Sequence, residues 1–264
     1  MISVIEVYNT IRDLCNKDQK GFVSPRVFNE FAEVAQQNVF NEMFKELAGA
    51  KQLRARGLDP SGGDSVYRSA KDDLSNFVTQ AQVTSDSSPL FISANMFNRP
   101  NDMHKLISLR YDVNGDDNVA SWAEVELVYD SEKIPHILNS NLSAPTAAYP
   151  VALISNVIEV FPSDETYTGA LVITYYRNPA SKYITNVGAQ TAGSVDPSSG
   201  PRFFTTAAGT DADGFFTANA TDSRNFELPE QYKSEVISEI AKMIGIRLRD
   251  AVLSGYGNNE TVAN

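Results

Sequence analysis

The sequence predicts an α+β fold: a helical bundle formed by N-terminal helices and the C-terminal helix, with a central antiparallel β insertion. Two changes of periodicity support it. Apolar residues recur at steps of three and four in about the first eighty residues and again near the C-terminus, as on one face of a helix. Between about residues 88 and 185 they alternate or form short strand-like runs. A helix that follows so long a non-helical stretch is expected to pack on helices formed by residues much earlier in the sequence.

These patterns divide the 264 residues into five parts. We predict that residues 1–87 form the N-terminal helical part of the bundle and 88–185 the antiparallel β region. Residues 186–225 are predicted as a flexible arm, 226–256 as the C-terminal helix that returns to the bundle, and 257–264 as a frayed tail. A chain of this length can bury a sizeable core as one large domain or two smaller ones.

Three helices are predicted in the N-terminal part. The first covers residues 2–17. The second opens at Ser24-Pro25, because Ser is a good N-cap and Pro is favoured at the first helical position. Its apolar stripe comprises Phe28, Phe31, Ala35, Val39, Met43 and Leu47. The third runs from Val66 to about Gln82. The C-terminal helix, to about Asp250, carries on one face Ile237, Ile240, Ile244, Leu248 and Ala251.

Six strands are predicted in the central region. They cover residues 90–92, 105–111, 123–129, 150–154, 157–161 and 170–176. Between the second and third lies Asn114-Gly115, which favours a hairpin because both residues tolerate positive φ. Residues 131–139 are predicted as a short helix or turn.

The predicted arm is rich in Gly, Ser, Thr, Ala and Asp. A structureless loop of this length is unusual inside a compact domain, so we expect it to order against a neighbouring molecule. Its large apolar side chains come as two pairs, Phe203-Phe204 and Phe215-Phe216. These four residues are the predicted interface anchors.

The residues indicate no catalytic, cofactor or metal site, so a non-enzyme is expected. His104 and His136 belong to no metal-binding or hydrolase motif, and no glycine-rich phosphate loop occurs. Residues 112–118 begin like a calcium loop. However, Asp117 stands where that loop needs Gly, and Ala123 stands where it needs a bidentate Glu.

The composition also limits the partners. The net charge is −11, and residues 83–185 carry 12 acidic side chains against 6 basic ones. No cluster of Lys and Arg is available to grip a phosphate backbone, so tight nucleic-acid binding is not expected. No apolar run approaches the roughly 20 residues that span a bilayer, so no membrane partner is expected. The single cysteine, Cys15, suits a reducing cytosol and a buried structural role.

Several segments, taken in order, carry a resemblance to a known family. They are residues 22–36 (FVSPRVFNEFAEVAQ), 144–151 (APTAAYPV), 158–162 (IEVFP), 173–180 (ITYYRNPA) and 225–229 (NFELP). With this order and spacing, the chain resembles virion structural proteins of short-tailed phages, notably the crAss-like and related Bacteroidetes phages. It departs from the family pattern at residues 181–183, where a Pro and a Trp are expected.

The resemblance implies a neck or head–tail connector, also called a portal adaptor. Such a protein forms a ring, typically a dodecamer, that joins the portal protein to the tail and to other neck or tail rings. DNA passes through its channel during ejection without specific binding. The implied location is the virion, assembled in the cytoplasm of the host bacterium, with no cofactor.

The acidic middle of the chain suggests one physical hypothesis about the channel. If Asp112, Asp116 and Asp117 line it, their charges repel DNA and let it pass. Two alternatives remain open. One is a tail-tube or baseplate component. The other is a glycan-binding or hydrolytic tail protein, which Trp122 and the abundant acids support only weakly, since no carboxylate spacing indicates a glycosidase.

Overall fold

A computed structural model describes residues 1–16, 23–55, 65–83, 88–112, 122–163, 171–180, 200–210, 216–221 and 223–248. The helices are α1 (Val4–Asn16), α2 (Pro25–Ala55), α3 (Ser65–Asp73), α4 (Ile134–Leu138) and α5 (Lys233–Leu248). The strands are β1 (Val78–Val83), β2 (Phe91–Ser93), β3 (Met96–Asn98), β4 (Met103–Asp112), β5 (Trp122–Val128), β6 (Val151–Ile154), β7 (Val157–Phe161), β8 (Leu171–Arg177), β9 (Thr205–Thr210) and β10 (Phe216–Ala218).

The chain forms two compact units. One, the helical unit, combines Met1–Asn76 with Pro179–Asn264, and the other, the sheet unit, is the continuous segment Phe77–Asn178. The protein is therefore a mixed helix and sheet protein, as the sequence predicts in outline. In the described part of the chain, no helix is both long and apolar enough to cross a membrane.

In the helical unit, α2 packs against α5 and α3, and α1 packs against α5. The predicted start of α2 is confirmed: the carbonyl oxygen of Ser24 accepts a hydrogen bond from the N–H of Phe28 at 3.0 Å. Phe28, Phe40 and Met43 are almost completely buried along this helix. Burying each such side chain stabilises the fold by roughly 1.5–3 kcal/mol, so the apolar face of α2 is a main part of this core.

The first residues of the chain contact the segment that precedes α5 in this unit. The N–H of Val4, at the start of α1, donates to Oδ1 of Asn225 at 3.2 Å. The N–H of Phe226, which is fully buried, donates to the carbonyl oxygen of Ile2 at 3.0 Å. Asn225 thus acts as a cap supplied from a distant segment, since the first N–H groups of a helix lack partners within it.

The sheet unit holds eight strands in the order β1-β8-β4-β5-β6-β7-β3-β2. All neighbours are antiparallel except β5 and β6, which pair in parallel with Glu126 opposite Val151. The prediction of an antiparallel region is therefore wrong at this pair of strands. Parallel neighbours need a crossover rather than a tight turn, and residues 129–150, which include α4, provide it. One apolar cluster lines the sheet, with Leu171, Ile173 and Tyr175 alternating along β8.

The predicted third helix is wrong beyond Asp73. The helix α3 ends there, a short 3₁₀ turn covers Ser75–Phe77, and the chain enters β1 at Val78. Each residue from Val78 to Val83 lies opposite a residue of β8, so sheet pairing overrides a pattern that also fits a helix. The short strand β3 and the hairpin strands β9 and β10 were not predicted.

Part of the segment predicted as an arm is ordered. Within residues 186–225, β9 and β10 pair as an antiparallel two-stranded sheet. Arg202 and Arg224 form an isolated antiparallel bridge beside it. Residues 186–199, 211–215 and 222 lie outside the described residues.

Candidate functional site

One face of α2 carries two amide side chains that hold other parts of the chain. Asn29 and Gln36 are seven residues apart, which is about two helical turns, so they lie on the same face. The Asn29 amide binds the backbone of Phe203 in both directions. Its Nδ2 donates to the carbonyl oxygen of Phe203 at 3.1 Å, and its Oδ1 accepts from the N–H at 2.7 Å. The amide therefore pairs with Phe203 as a neighbouring strand would.

Gln36 joins two further segments. Its Nε2 donates to the carbonyl oxygen of Ala180 at 3.3 Å, and its Oε1 accepts from the N–H of Glu227 at 3.0 Å. The carboxylate of Glu227 completes this hydrogen-bond network, because its Oε2 accepts a hydrogen bond from the N–H of Ala180 at 3.0 Å. Gln36 is only 2 % exposed. A buried amide with both ends satisfied specifies where these backbones dock, because an unpaired buried polar group costs about 1–3 kcal/mol.

The Gln36 network connects three of the segments that carry the family resemblance. Gln36 ends residues 22–36, Ala180 ends residues 173–180, and Glu227 is the middle residue of 225–229. The sequence analysis identified these segments but not that they meet. No local pattern could have revealed it, because the partners are 144 and 191 residues away from Gln36.

A cleft of about 740 Å³ lies beside this network. On α2 it is lined by Arg26, Glu30 and Glu33, and on the opposite side by Arg202 and Phe204. The lining thus carries both signs of charge next to an aromatic ring. Among the lining residues that the structure describes there is no histidine, cysteine, serine or lysine.

A second polar cluster lies where α2, α3 and α5 meet. The hydroxyl of Tyr232 is 3.1 Å from Oδ2 of Asp73 and 3.4 Å from Oε2 of Glu46. Burial raises the pKa of Tyr232, and the nearby carboxylates of Glu46 and Asp73 raise it further. Burial is also the main cause of the raised pKa of Glu46, and of Glu235 on α5, which Glu46 and Glu42 repel. The cluster therefore concentrates negative charge at a helix junction.

The four predicted interface phenylalanines have different positions. Phe203 is 2 % exposed, and its ring stacks on Tyr8 with a centroid distance of 4.0 Å and an interplanar angle of 21°. In this structure it belongs to the core of the helical unit. Phe204 is half-buried and lines the cleft. Phe216 begins β10, and Phe215 lies outside the described residues.

The predicted channel residues are only partly described. Asp112 ends β4, opposite Trp122 of β5. Asp116 and Asp117 lie outside the described residues. The channel hypothesis therefore stays a prediction.

The crossover between β5 and β6, residues 129–150, exposes large apolar side chains that the sequence analysis did not select. Leu142 is fully exposed, Tyr149 is 80 % exposed and Tyr129 is 63 % exposed. Tyrosine is enriched among the residues that dominate binding energy at protein interfaces. For Leu142 and Tyr149 the available signal was a large apolar residue in a stretch rich in Asn, Ser and Pro that lies outside every predicted strand and helix, whereas Tyr129 ends the predicted strand 123–129.

The candidates for chemistry lie on different secondary-structure elements. Cys15 is a buried free thiol on α1. His104 on β4 lies with Nδ1 3.0 Å from Oδ1 of Asn178, and His136 is on α4. Within the described ranges, no group of three or more His, Cys, Asp or Glu side chains is placed to hold a metal ion.

Comparison with known proteins adds no family assignment. No protein-family model matches this chain, and no curated protein matches it either.

Proposed function

We propose that this protein is a structural virion protein that forms a ring in the neck of a short-tailed phage and connects the portal to the tail. The observation that carries the proposal is the convergence at Gln36. Three sequence segments that resemble the connector family are bound to one another through a single buried amide and one carboxylate. The hydrogen bonds between these segments support treating them as one structural unit, as the proposal requires.

We further propose that α1, α2, α3 and α5 are the helical bundle of the connector subunit. The packing of α5 on both α2 and α1 supports this, because it brings the last described helix back to the N-terminal helices. A ring also needs a heterologous contact, in which one surface of a subunit meets a different surface of its neighbour. The buried contacts of α5 with α1 and α2 give the proposed subunit one helical body for such contacts.

The crossover between β5 and β6 supports a contact with another virion protein. Leu142, Tyr149 and Tyr129 expose apolar area that would be buried in an assembly. The family resemblance covers part of this crossover, residues 144–151. We propose that it contacts the portal or a neighbouring ring, and that the protein has no enzymatic activity.

The test is the mass and symmetry of the purified protein, alone and mixed with the portal protein encoded with it, by light scattering and negative-stain microscopy. A closed ring, or a monomer that joins a ring only on the portal, is the expected result. A Leu142→Ser, Tyr149→Ser variant should lose portal binding, whereas a control at exposed Val66 on α3, Val66→Ser, should not.

A monomer that ignores the portal under all conditions would contradict the connector function. It would favour a tail-tube or baseplate component, and glycan binding would then be measured on the same sample.

A further inference from the structure

The side chain of Tyr232 connects three helices of the helical unit. Tyr232 ends the short 3₁₀ turn that precedes α5, and its side chain is buried. Its hydroxyl oxygen is 3.1 Å from Oδ2 of Asp73, the last residue of α3, and 3.4 Å from Oε2 of Glu46 on α2. Two carboxylates from different helices therefore meet at one hydroxyl group.

This hydroxyl group cannot satisfy both carboxylates while both are ionised. A tyrosine hydroxyl has a single proton to donate, and an ionised carboxylate can only accept. The hydroxyl donates to one of the two carboxylates at a time, and the other carboxylate then faces the hydroxyl oxygen with no proton between them. The arrangement has one donor and two acceptors, so it lacks one proton.

The two carboxylates differ in their other partners. Asp73 accepts a second hydrogen bond, because Nε2 of Gln231 donates to its Oδ1 at 2.6 Å. Within the described residues, the carboxylate of Glu46 has no hydrogen-bond partner other than Tyr232. We therefore expect the missing proton to bind Glu46, while Asp73 stays ionised and keeps both of its donors.

The acidic groups of the neighbouring helices favour this protonation. Desolvation of its carboxylate raises the pKa of Glu46, and repulsion from Asp73 on α3 and Glu42 on α2 raises it further, against the lowering effect of the hydrogen bond with Tyr232. On α5, Glu235 repels Glu46 in turn. Each of the three packed helices thus brings negative charge to the junction.

The lysines of the same helices are engaged elsewhere. Lys45 on α2 binds Glu42 at 2.7 Å, and Lys71 on α3 lies over the ring of Tyr67. Lys233 on α5 binds Glu6 of α1 and is also attracted by Glu230. In the part of the chain that the structure describes, no ion pair joins a cation to the carboxylates around Tyr232, which are Glu46, Asp73 and Glu235.

We propose that the Tyr232 hydroxyl is a pH-sensitive latch, which holds α3 on α2 and α5 more firmly when Glu46 is protonated. A protonated Glu46 donates its hydrogen to the oxygen of Tyr232, while Tyr232 donates to Asp73. Both contacts of the hydroxyl are then hydrogen bonds at the same time. The latch acts three residues before Asn76, where the first segment of the helical unit ends. It does not depend on the proposed connector function.

The direction of the pH dependence follows from the charge. The ionised form of Glu46 is disfavoured in the folded protein, so the latch is weak at neutral pH and strengthens as the pH falls through the raised pKa of Glu46. An ion pair would respond in the opposite direction, because protonation of its carboxylate breaks it. The side chain of Glu46 is partly exposed, so solvent screens the repulsion and keeps the effect small.

Hydrogen exchange of the full chain at pH 5 and pH 7 tests the latch. Exchange rates are converted to protection factors, which removes the intrinsic pH dependence of exchange. In the wild-type protein we expect the amides of residues 69–73 on α3 to be about fivefold more protected at pH 5 than at pH 7, as for one added hydrogen bond. The amides of β8, in the sheet unit, serve as the internal reference.

Three variants locate the proton. In Glu46→Gln the amide donates to Tyr232 at either pH, so α3 should be as protected at pH 7 as the wild type is at pH 5, with no further change. Tyr232→Phe removes the hydroxyl and should abolish the pH response. Asp72→Asn is the matched control, because it neutralises the exposed carboxylate next to Asp73, and it should keep the fivefold response.

Two results would overturn the latch. One is wild-type protection of α3 that is equal at both pH values or lower at pH 5. The other is a Glu46→Gln variant that keeps the full wild-type response, because the proton would then bind another group. If Tyr232→Phe does not fold, Glu46→Gln decides the question alone, since it removes no apolar contact.

Discussion

The interactions that stabilise the helical unit internally differ from those within the sheet unit. The sheet unit is one continuous segment, Phe77–Asn178, and its strands contribute to two apolar clusters that lie within that segment. The helical unit combines the first 76 residues with the last 86, and a few polar groups dock its distant segments. Gln36, Asn29 and Asn225 each bind backbone from another part of the chain. Both units have apolar cores, but the helical unit also depends on a few specific hydrogen bonds that join segments far apart in the sequence.

The largest effect is expected when the chain is produced as two separate fragments. We expect a fragment of residues 77–178 to fold alone, because all eight strands and their core lie within it. We expect residues 1–76 alone to remain largely unfolded, because α1 and α2 then lose α5, Phe203 and Phe226. Circular dichroism and urea titration of both fragments measure this. A cooperative transition for residues 1–76 would contradict the comparison.

The next largest effect concerns Phe203. Replacing it with alanine removes a ring that is buried and stacked on Tyr8, so we expect Phe203→Ala to lower the free energy of unfolding by about 3–5 kcal/mol. Phe204→Ala, at a half-buried neighbour, should cost only about 1 kcal/mol. Urea denaturation measures both. Equal effects would mean that Phe203 is not the core residue described above.

A smaller effect is expected at Gln36. Leucine fills its space but cannot bind the Ala180 carbonyl or the Glu227 N–H, so Gln36→Leu should cost about 2–4 kcal/mol. Gln37→Leu is the matched control, because the Gln37 amide donates its hydrogen bond to exposed Asn41 on the same helix, and it should change stability by less than about 0.5 kcal/mol. Hydrogen exchange at Ala180 and Glu227 would show whether the docking itself is lost.

The smallest effect is a pH dependence at the α2–α3–α5 junction. The pKa of Glu235 is raised above its usual value of 4.5, chiefly by burial and then by repulsion from Glu46 and Glu42. The charged form is therefore disfavoured in the folded protein. This destabilisation is present at neutral pH and is relieved as the pH falls through the raised pKa.

We accordingly expect Glu235→Gln to raise Tm at pH 7 by about 1–2 °C, a small shift because the side chain is partly exposed. The gain should shrink as the pH approaches 4.5. Thermal unfolding across this range, with Glu132→Gln on the exposed surface of the sheet unit as control, measures it. A gain that grows at lower pH would contradict the assigned cause.

Residue types and their spacing were enough to predict much of the secondary structure. The apolar stripe of α2 and the Ser24-Pro25 start locate a helix without any tertiary information, because side chains three and four apart share one face. The strands β4 to β8 follow from short apolar runs and alternation in the same way. The third helix failed because residues 78–83 fit either structure, and only pairing with β8 decides between them.

Tertiary structure alone decided which distant groups meet. The parallel pairing of β5 with β6, the stacking of Phe203 on Tyr8 and the docking of Ala180 and Glu227 on Gln36 all join residues that no local pattern relates. The physical reason is that periodicity reports which face of an element is buried, but not what buries it. That choice depends on the packing and hydrogen bonding of the whole chain, which sets both the candidate site and the carboxylates that meet at Tyr232.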